Sequence, residues 1–159
     1  MIEAAVKPVV KTGGDLRGLN HSLGFLLRVS QLKVFDHFFK KLGHVGLKPG
    51  EYSVLWLIFN NPRIRQGLAA QTLSIKNAHM TKLIRSFEES GFVTRTIPDG
   101  DRRAVELDLT VSGRDFVTFH QQEFFGYIQS LNSPLNDAET KELIRLLAKF
   151  ACVDQELTK

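Results

Sequence analysis

Between Lys76 and Ser86 the chain reads K-N-A-H-M-T-K-L-I-R-S, a mixture of cations, an amide and hydroxyls that one face of a helix can present together. Ala78, Lys82 and Ser86 would point away from an apolar face, with Lys76, Asn77, His79, Thr81 and Arg85 on or beside the outward side. Lysine and arginine neutralise phosphate or read guanine, asparagine bonds adenine through two hydrogen bonds, and a threonine methyl can rest against that of thymine. Downstream lie Arg95 and then the turn Asp101-Arg102-Arg103, whose arginines suit a narrow, strongly negative minor groove. The charge distribution agrees with this chemistry. Residues 60–103 hold eight Lys/Arg against four Asp/Glu, and the remainder holds 13 of each, so the net charge of +4 sits entirely in that segment. Such clustering is the electrostatic footprint of a phosphate-binding surface, and an ordinary solvated basic face has the same composition.

Other chemistries lack their residues. The five histidines, His21, His37, His44, His79 and His120, are scattered without metal-ligand spacing. The single cysteine, Cys152, excludes an internal disulfide and a Cys-x-x-Cys zinc site, and it reads as packing rather than as a redox switch. There is no glycine-rich phosphate loop and no Ser-His-Asp constellation, so the sequence predicts neither an enzyme nor a cofactor. The longest apolar run, Val54 to Phe59, is far short of the roughly 20 residues a membrane-spanning helix needs. Residues 1–14 lack the apolar core of a secretory signal, and they read as a loose leader on a cytoplasmic protein.

The elements that must position this chemistry follow from periodicity. Leu16, Leu19, Leu23, Leu26, Leu27, Val34, Phe38 and Leu42 predict one long amphipathic helix over 15–42, with Gly43 as its C-cap. Pro49 opens a second helix that Asn61-Pro62 stops, and residues 66–72 form a short third. Ser74 is available to cap a fourth, whose Met80, Leu83, Ile84 and Phe87 fall at helical spacing before Gly91. Residues 92–97 favour extended chain and 98–101 a turn, and Val105, Leu107 and Leu109 alternate with acidic residues as a strand does. Thr110 or Ser112 then caps a helix running to Leu131. Asn136 with Glu139 resembles a capping box opening a last helix that buries Leu143, Leu146, Leu147 and Phe150. The expectation is a mainly α fold. Two short helices joined tightly at Leu73-Ser74 and followed by a hairpin form a winged helix-turn-helix pattern. The long first helix and the last two carry more apolar side chains than one small domain needs, which predicts a dimer interface.

Through Leu68-Ala69, Leu73, Leu83, Gly91-Phe92-Val93, Arg95, Asp101-Arg102-Arg103, Leu109-Thr110 and Gly113, the chain resembles the MarR family of bacterial transcription regulators, from roughly Leu23 to the C-terminus. That resemblance implies a winged helix-turn-helix DNA-binding domain over 46–110, flanked by dimerisation helices over 15–45 and 111–159 that pair two chains into a triangular homodimer. It also implies that Asp101 orients the wing, that Arg103 enters the minor groove, and that Arg102 sits nearer the DNA backbone. Lys76-Asn77 departs from the Ser-Pro that many members carry at the start of the recognition helix, so no operator sequence carries over.

Family members usually bind a small, often aromatic, anionic effector between the dimer helices and the winged domain. Here His21, Ser22, Phe25 and Arg28 would form one stripe of the first helix, and Tyr52 and Trp56 lie one turn apart on the second. Aromatic rings beside one cation suit an aromatic carboxylate or its coenzyme A thioester, and core aromatics beside a solvated Arg28 would look the same. The expected function is therefore an effector-released repressor that binds a duplex DNA operator as a homodimer. The alternatives are an effector-independent architectural protein and a drug-responsive regulator of efflux.

Overall fold

A computed structural model describes residues 14–98, 100, 104–131 and 133–153, with backbone alone at 128 and 129. Its elements run α1 (Leu23–Leu42), α2 (Pro49–Asn60), β1 (Ile64–Arg65), α3 (Gln66–Thr72), α4 (Asn77–Glu89), β2 (Val93–Thr96), β3 (Glu106–Leu109), α5 (Val111–Gly126) and α6 (Asp137–Phe150), with 3-10 turns at Leu19–His21, Gly43–Val45 and Tyr127–Ser130. The fold is mainly helical. The chain divides into two compact units, residues 30–129 and the paired segments 1–29 and 130–159.

The larger unit is built on an apolar centre. Tyr52, Val54, Leu55 and Ile58 of α2, Ala69 and Ala70 of α3, and Met80, Leu83, Ile84 and Phe87 of α4 are all buried there with Val93, Leu107, Leu109 and Val117. Full burial of an aliphatic or aromatic side chain contributes about 1.5–3 kcal/mol, so this centre orients α3 and α4. The strands form an antiparallel sheet in the order β1-β3-β2, with Ile64 opposite Leu107 and Val93 opposite Leu109. Two residues long, β1 is too short to show an alternating pattern, which is why periodicity does not reveal it. Phe38 of α1 packs edge-on against Phe124 and Tyr127, and the indole of Trp56 stacks on Phe59.

Several boundaries differ from the sequence expectation. The first helix starts at Leu23 rather than Asp15. Asp15 accepts the backbone N–H of Arg17 at 2.9 Å and pairs with its guanidinium, Gly18 adopts φ 83°, and the chain makes a 3-10 turn before helical bonding begins. At the other end Gly43 opens a further 3-10 turn, and Gly46, at φ 76°, takes the left-handed position. Ser74 caps nothing: it stands at φ 53° inside the α3–α4 turn, and Lys76 occupies the N-cap position with no side-chain cap. The fifth helix ends at Gly126, five residues earlier than predicted, and tightens into the turn at Tyr127–Ser130.

The smaller unit holds α6, whose capping box is as read: Asn136 Oδ1 accepts the N–H of Glu139 at 3.0 Å, and Glu139 Oε2 accepts that of Asn136 at 2.9 Å. The predicted burial of this helix is not found among the described residues. Leu143, Leu146, Leu147 and Phe150 are all exposed, Phe150 at 64%. Periodicity identifies an apolar face without identifying what covers it. Among the described residues no helix is long and apolar enough to cross a membrane.

Candidate nucleic-acid interface

Helix α4 separates its two faces cleanly. Met80, Leu83, Ile84 and Phe87 are buried, whereas Lys76, Asn77, Ala78, His79, Thr81, Lys82, Arg85 and Ser86 are all exposed. A tight turn delivers the helix in this orientation: Ile75 donates its N–H to Ala70 O at 2.8 Å and Ser74 to Gln71 O at 3.0 Å, closing the end of α3 before α4 begins. Arg85 pairs with Glu89 at 3.1 Å along the helix, and Arg95 on β2 pairs with Glu88 at 2.7 Å. Exposed pairs of this kind contribute under about 1 kcal/mol, so a phosphate can draw either arginine away. Thr81 differs from its neighbours. Its hydroxyl donates to Asn77 O at 3.0 Å and accepts from Nε2 of Gln66 at 3.1 Å. Nothing in the sequence pattern singles out Gln66.

The motif residues around the hairpin form one joint. Gly91 leaves α4 at φ 72°, Phe92 O accepts the N–H of Thr110 at 3.0 Å, and the Thr110 hydroxyl donates to Gly91 O at 2.6 Å while accepting the N–H of Gly113 at 2.9 Å. Gly113 lies so close to the Phe92 backbone that a Cβ there would stand 2.1 Å from its carbonyl oxygen. Arg114 closes the joint on Asp108 at 2.7 Å, and Arg63 braces β1 against Glu106 of β3 at 2.8 Å. These bonds tie the base of the hairpin to α4 and α5. Asp101, Arg102 and Arg103, at its predicted tip, lie outside the described residues.

The predicted effector residues are distributed over both units. His21 and Ser22 precede α1, because the chain turns before Leu23, so Phe25 and Arg28 alone stand on the helix. Arg28 is exposed and Phe25 half-buried. Tyr52 belongs to the core of the larger unit, its ring stacked on Phe124 and its hydroxyl donating to Val117 O at 2.8 Å. Burial pushes that phenol up to about 12. Trp56, half-buried, meets Phe125 edge-on. A separate open groove of about 1000 Å³ is lined by Lys41, Phe119, Gln122, Phe125 and Tyr127 among others, and by none of the six predicted residues.

An amphipathic helix with an exposed cationic face, followed by a hairpin, has relatives. The MarR family profile matches residues 47–105. A protein of Thauera aromatica, assigned provisionally to regulation of the hcr operon, is 31% identical over 148 residues, covering 89% of each chain. The chain belongs to the MarR family. The transcriptional repressor CouR, solved on a 23-mer DNA duplex, superimposes with a TM-score of 0.80 at 29% identity, over 88% of this chain and 99% of that one. BpsR of Bordetella bronchiseptica shares the fold at 22% identity and a TM-score of 0.75, over 83% and 94%. As a MarR-type transcriptional regulator this chain binds DNA and is not an enzyme.

Proposed function

We propose that this protein is a repressor that binds a pseudo-palindromic operator as a homodimer and leaves it when an aromatic carboxylate, or its coenzyme A thioester, is bound. The observation that carries the DNA half of this reading is α4 itself, with four apolar side chains buried on one side and Lys76, Asn77, His79, Thr81, Lys82 and Arg85 exposed on the other. In the major groove Asn77 suits an adenine edge, and Lys82 suits phosphate. Arg103, preceded by Asp101 and Arg102, supplies the minor-groove contact of the wing. One recognition helix offers too few base contacts for tight specific binding, so two copies on half-sites about one helical turn apart are required. The exposed apolar rows of α1 and α6, Leu23 and Leu26 on one and Leu143, Ile144, Leu147 and Phe150 on the other, supply the surface for that pairing.

For the effector, the supporting chemistry lies in each unit by itself: an exposed cation, Arg28, with half-buried Phe25 in one, and half-buried Trp56 in the other. His21 and Ser22 add polar groups, and Tyr52 contributes as packing behind the second helix. A ligand that favours the conformation with the wrong spacing of recognition helices weakens DNA binding by its coupling energy, typically 1–3 kcal/mol or roughly 5- to 150-fold. A panel of hydroxycinnamates, benzoates and their thioesters, titrated against a preformed operator complex, tests this. The panel includes 6-hydroxynicotinic acid, the compound described as regulating DNA binding by BpsR. Release by at least one member, weakened in Arg28→Ala and in Trp56→Ala, is the expected outcome. Release by none, with Arg28→Ala regulating as the parent does, favours the effector-independent reading.

A further inference from the structure

We infer that Gln66 is a positioning residue that holds the Thr81 hydroxyl inward, so that Thr81 reads the C5-methyl of a thymine and has no proton left to donate to the operator. The inference rests on the DNA-facing reading of α4 and adds to it a specificity determinant and the base it selects.

A hydroxyl has one proton and two lone pairs. The Thr81 proton goes to Asn77 O, 3.0 Å away and one turn back on the same helix. One lone pair receives Nε2 of Gln66 at 3.1 Å. Threonine in a helix divides between two side-chain rotamers because its hydroxyl can reach more than one carbonyl of the preceding turn. A second partner outside the helix breaks that tie. With the oxygen held on both sides, the methyl is the uncommitted branch of an exposed side chain, and methyl against methyl is the apolar contact by which threonine distinguishes thymine in the major groove.

Gln66 is itself anchored. Its backbone N–H donates to Val105 O at 2.8 Å, just before β3, so one residue links the hairpin, the start of α3 and the outward face of α4. Its other amide atom shows what the residue is not doing. Oε1 of Gln66 is buried and meets no donor among the described residues. An unsatisfied buried acceptor destabilises a fold relative to an apolar side chain of the same shape. Exchanging Gln66 for a methionine of similar length removes that acceptor, so a change in base discrimination reads apart from a loss of folding.

The experiment uses the full-length protein and a duplex that it selects from a random-sequence pool, resynthesised with each thymine of a half-site replaced in turn by uracil, which lacks only the methyl. One replacement is expected to weaken binding about fourfold, the transfer of one buried methyl group, with the others near parity. Thr81→Ser, which keeps the hydroxyl, erases the contrast at that base. Thr81→Val, which keeps the methyl, preserves it. Gln66→Met lowers the contrast at least twofold beside Thr81 and leaves it unchanged beside Val, whose rotamer the helix already fixes. The thermal midpoint of Gln66→Met stays at or above that of the parent, where a purely structural glutamine would lower it. A flat uracil scan overturns the inference, as does a Thr81→Val variant that loses as much as Thr81→Ser, or a Gln66→Met effect equal in both backgrounds. Should Gln66→Met fail to fold, the serine and valine comparison decides alone. A flat scan with binding still weakened by Lys82→Ala removes this inference only, whereas Lys82→Ala and Asn77→Ala both binding as the parent does removes the α4 reading beneath it.

Discussion

Tyr52 and Gly113 show how single residues hold the helices and the hairpin in place. The Tyr52 phenol is neutral in the core, donates to Val117 O, and is pushed up to about 12 by burial from an ordinary 10.0. A group whose folded value is raised contributes stability in full below its unfolded value and loses it as pH climbs through the folded one. The fold should therefore weaken between about pH 10 and 12, with Tyr127, also pushed up by burial, acting in the same direction. Tyr52→Phe should cost about 1 kcal/mol at neutral pH and flatten part of that alkaline loss, as urea titrations across the range would read. Invariant steepness in the phenylalanine variant would contradict this account. At Gly113 the neighbour is backbone and cannot yield, since an added Cβ would meet Phe92 O at 2.1 Å. Gly113→Ala should destabilise by about 3 kcal/mol and separate the hairpin base from α5, visible as a lowered thermal midpoint.

At the scale of elements, α4 and α6 face opposite tasks with similar patterns. Both are amphipathic, yet the apolar side of α4 is buried at 0–8% exposure whereas Leu143, Ile144 and Phe150 of α6 remain 43%, 57% and 64% exposed. For α4 the test is ionic. Lys82→Ala removes one phosphate neutraliser, so it should weaken binding to all sequences alike and lower the slope of log affinity against log salt by about one, whereas Arg103→Ala should lose most at A·T-rich flanks. For α6 the test is the cap. Asn136→Ala removes the side-chain acceptor of the Glu139 N–H while keeping the backbone N–H that Glu139 accepts, and should cost about 1 kcal/mol of helix stability. Because the apolar face of α6 is not covered by the described residues, the loss should appear as a raised dimer dissociation constant on dilution in the ultracentrifuge.

Across the whole molecule the basic excess and the apolar excess occupy different parts of the chain. In the proposed function the charge of residues 60–103 meets the DNA, and the exposed leucines of α1 and α6 meet a second copy. Removing residues 137–159 should leave a monomer whose α4 is unchanged and whose operator affinity falls to that of a single half-site. A truncated chain that sediments as a dimer would mean that other surfaces hold the pair.

The sequence by itself determined the helix count, the division of α4 into two faces, the Asn136 box and the absence of catalytic spacing, because each depends on neighbours three or four positions away on one helix. The family motif was legible as a string, but its reason was not: Gly91, Phe92, Thr110 and Gly113 share one joint only because the chain returns on itself between them. The same limit hid Gln66, whose partner is 15 residues away on another helix, and β1, whose two residues pair with a strand about 40 positions later. Periodicity likewise predicted burial for α6, since an apolar stripe looks the same whether its own chain or another covers it. Only the tertiary structure decided that Tyr52 is a core residue with a committed hydroxyl and that Thr81 has its oxygen held from two sides, because such contacts join residues whose separation in sequence carries no information about their separation in space.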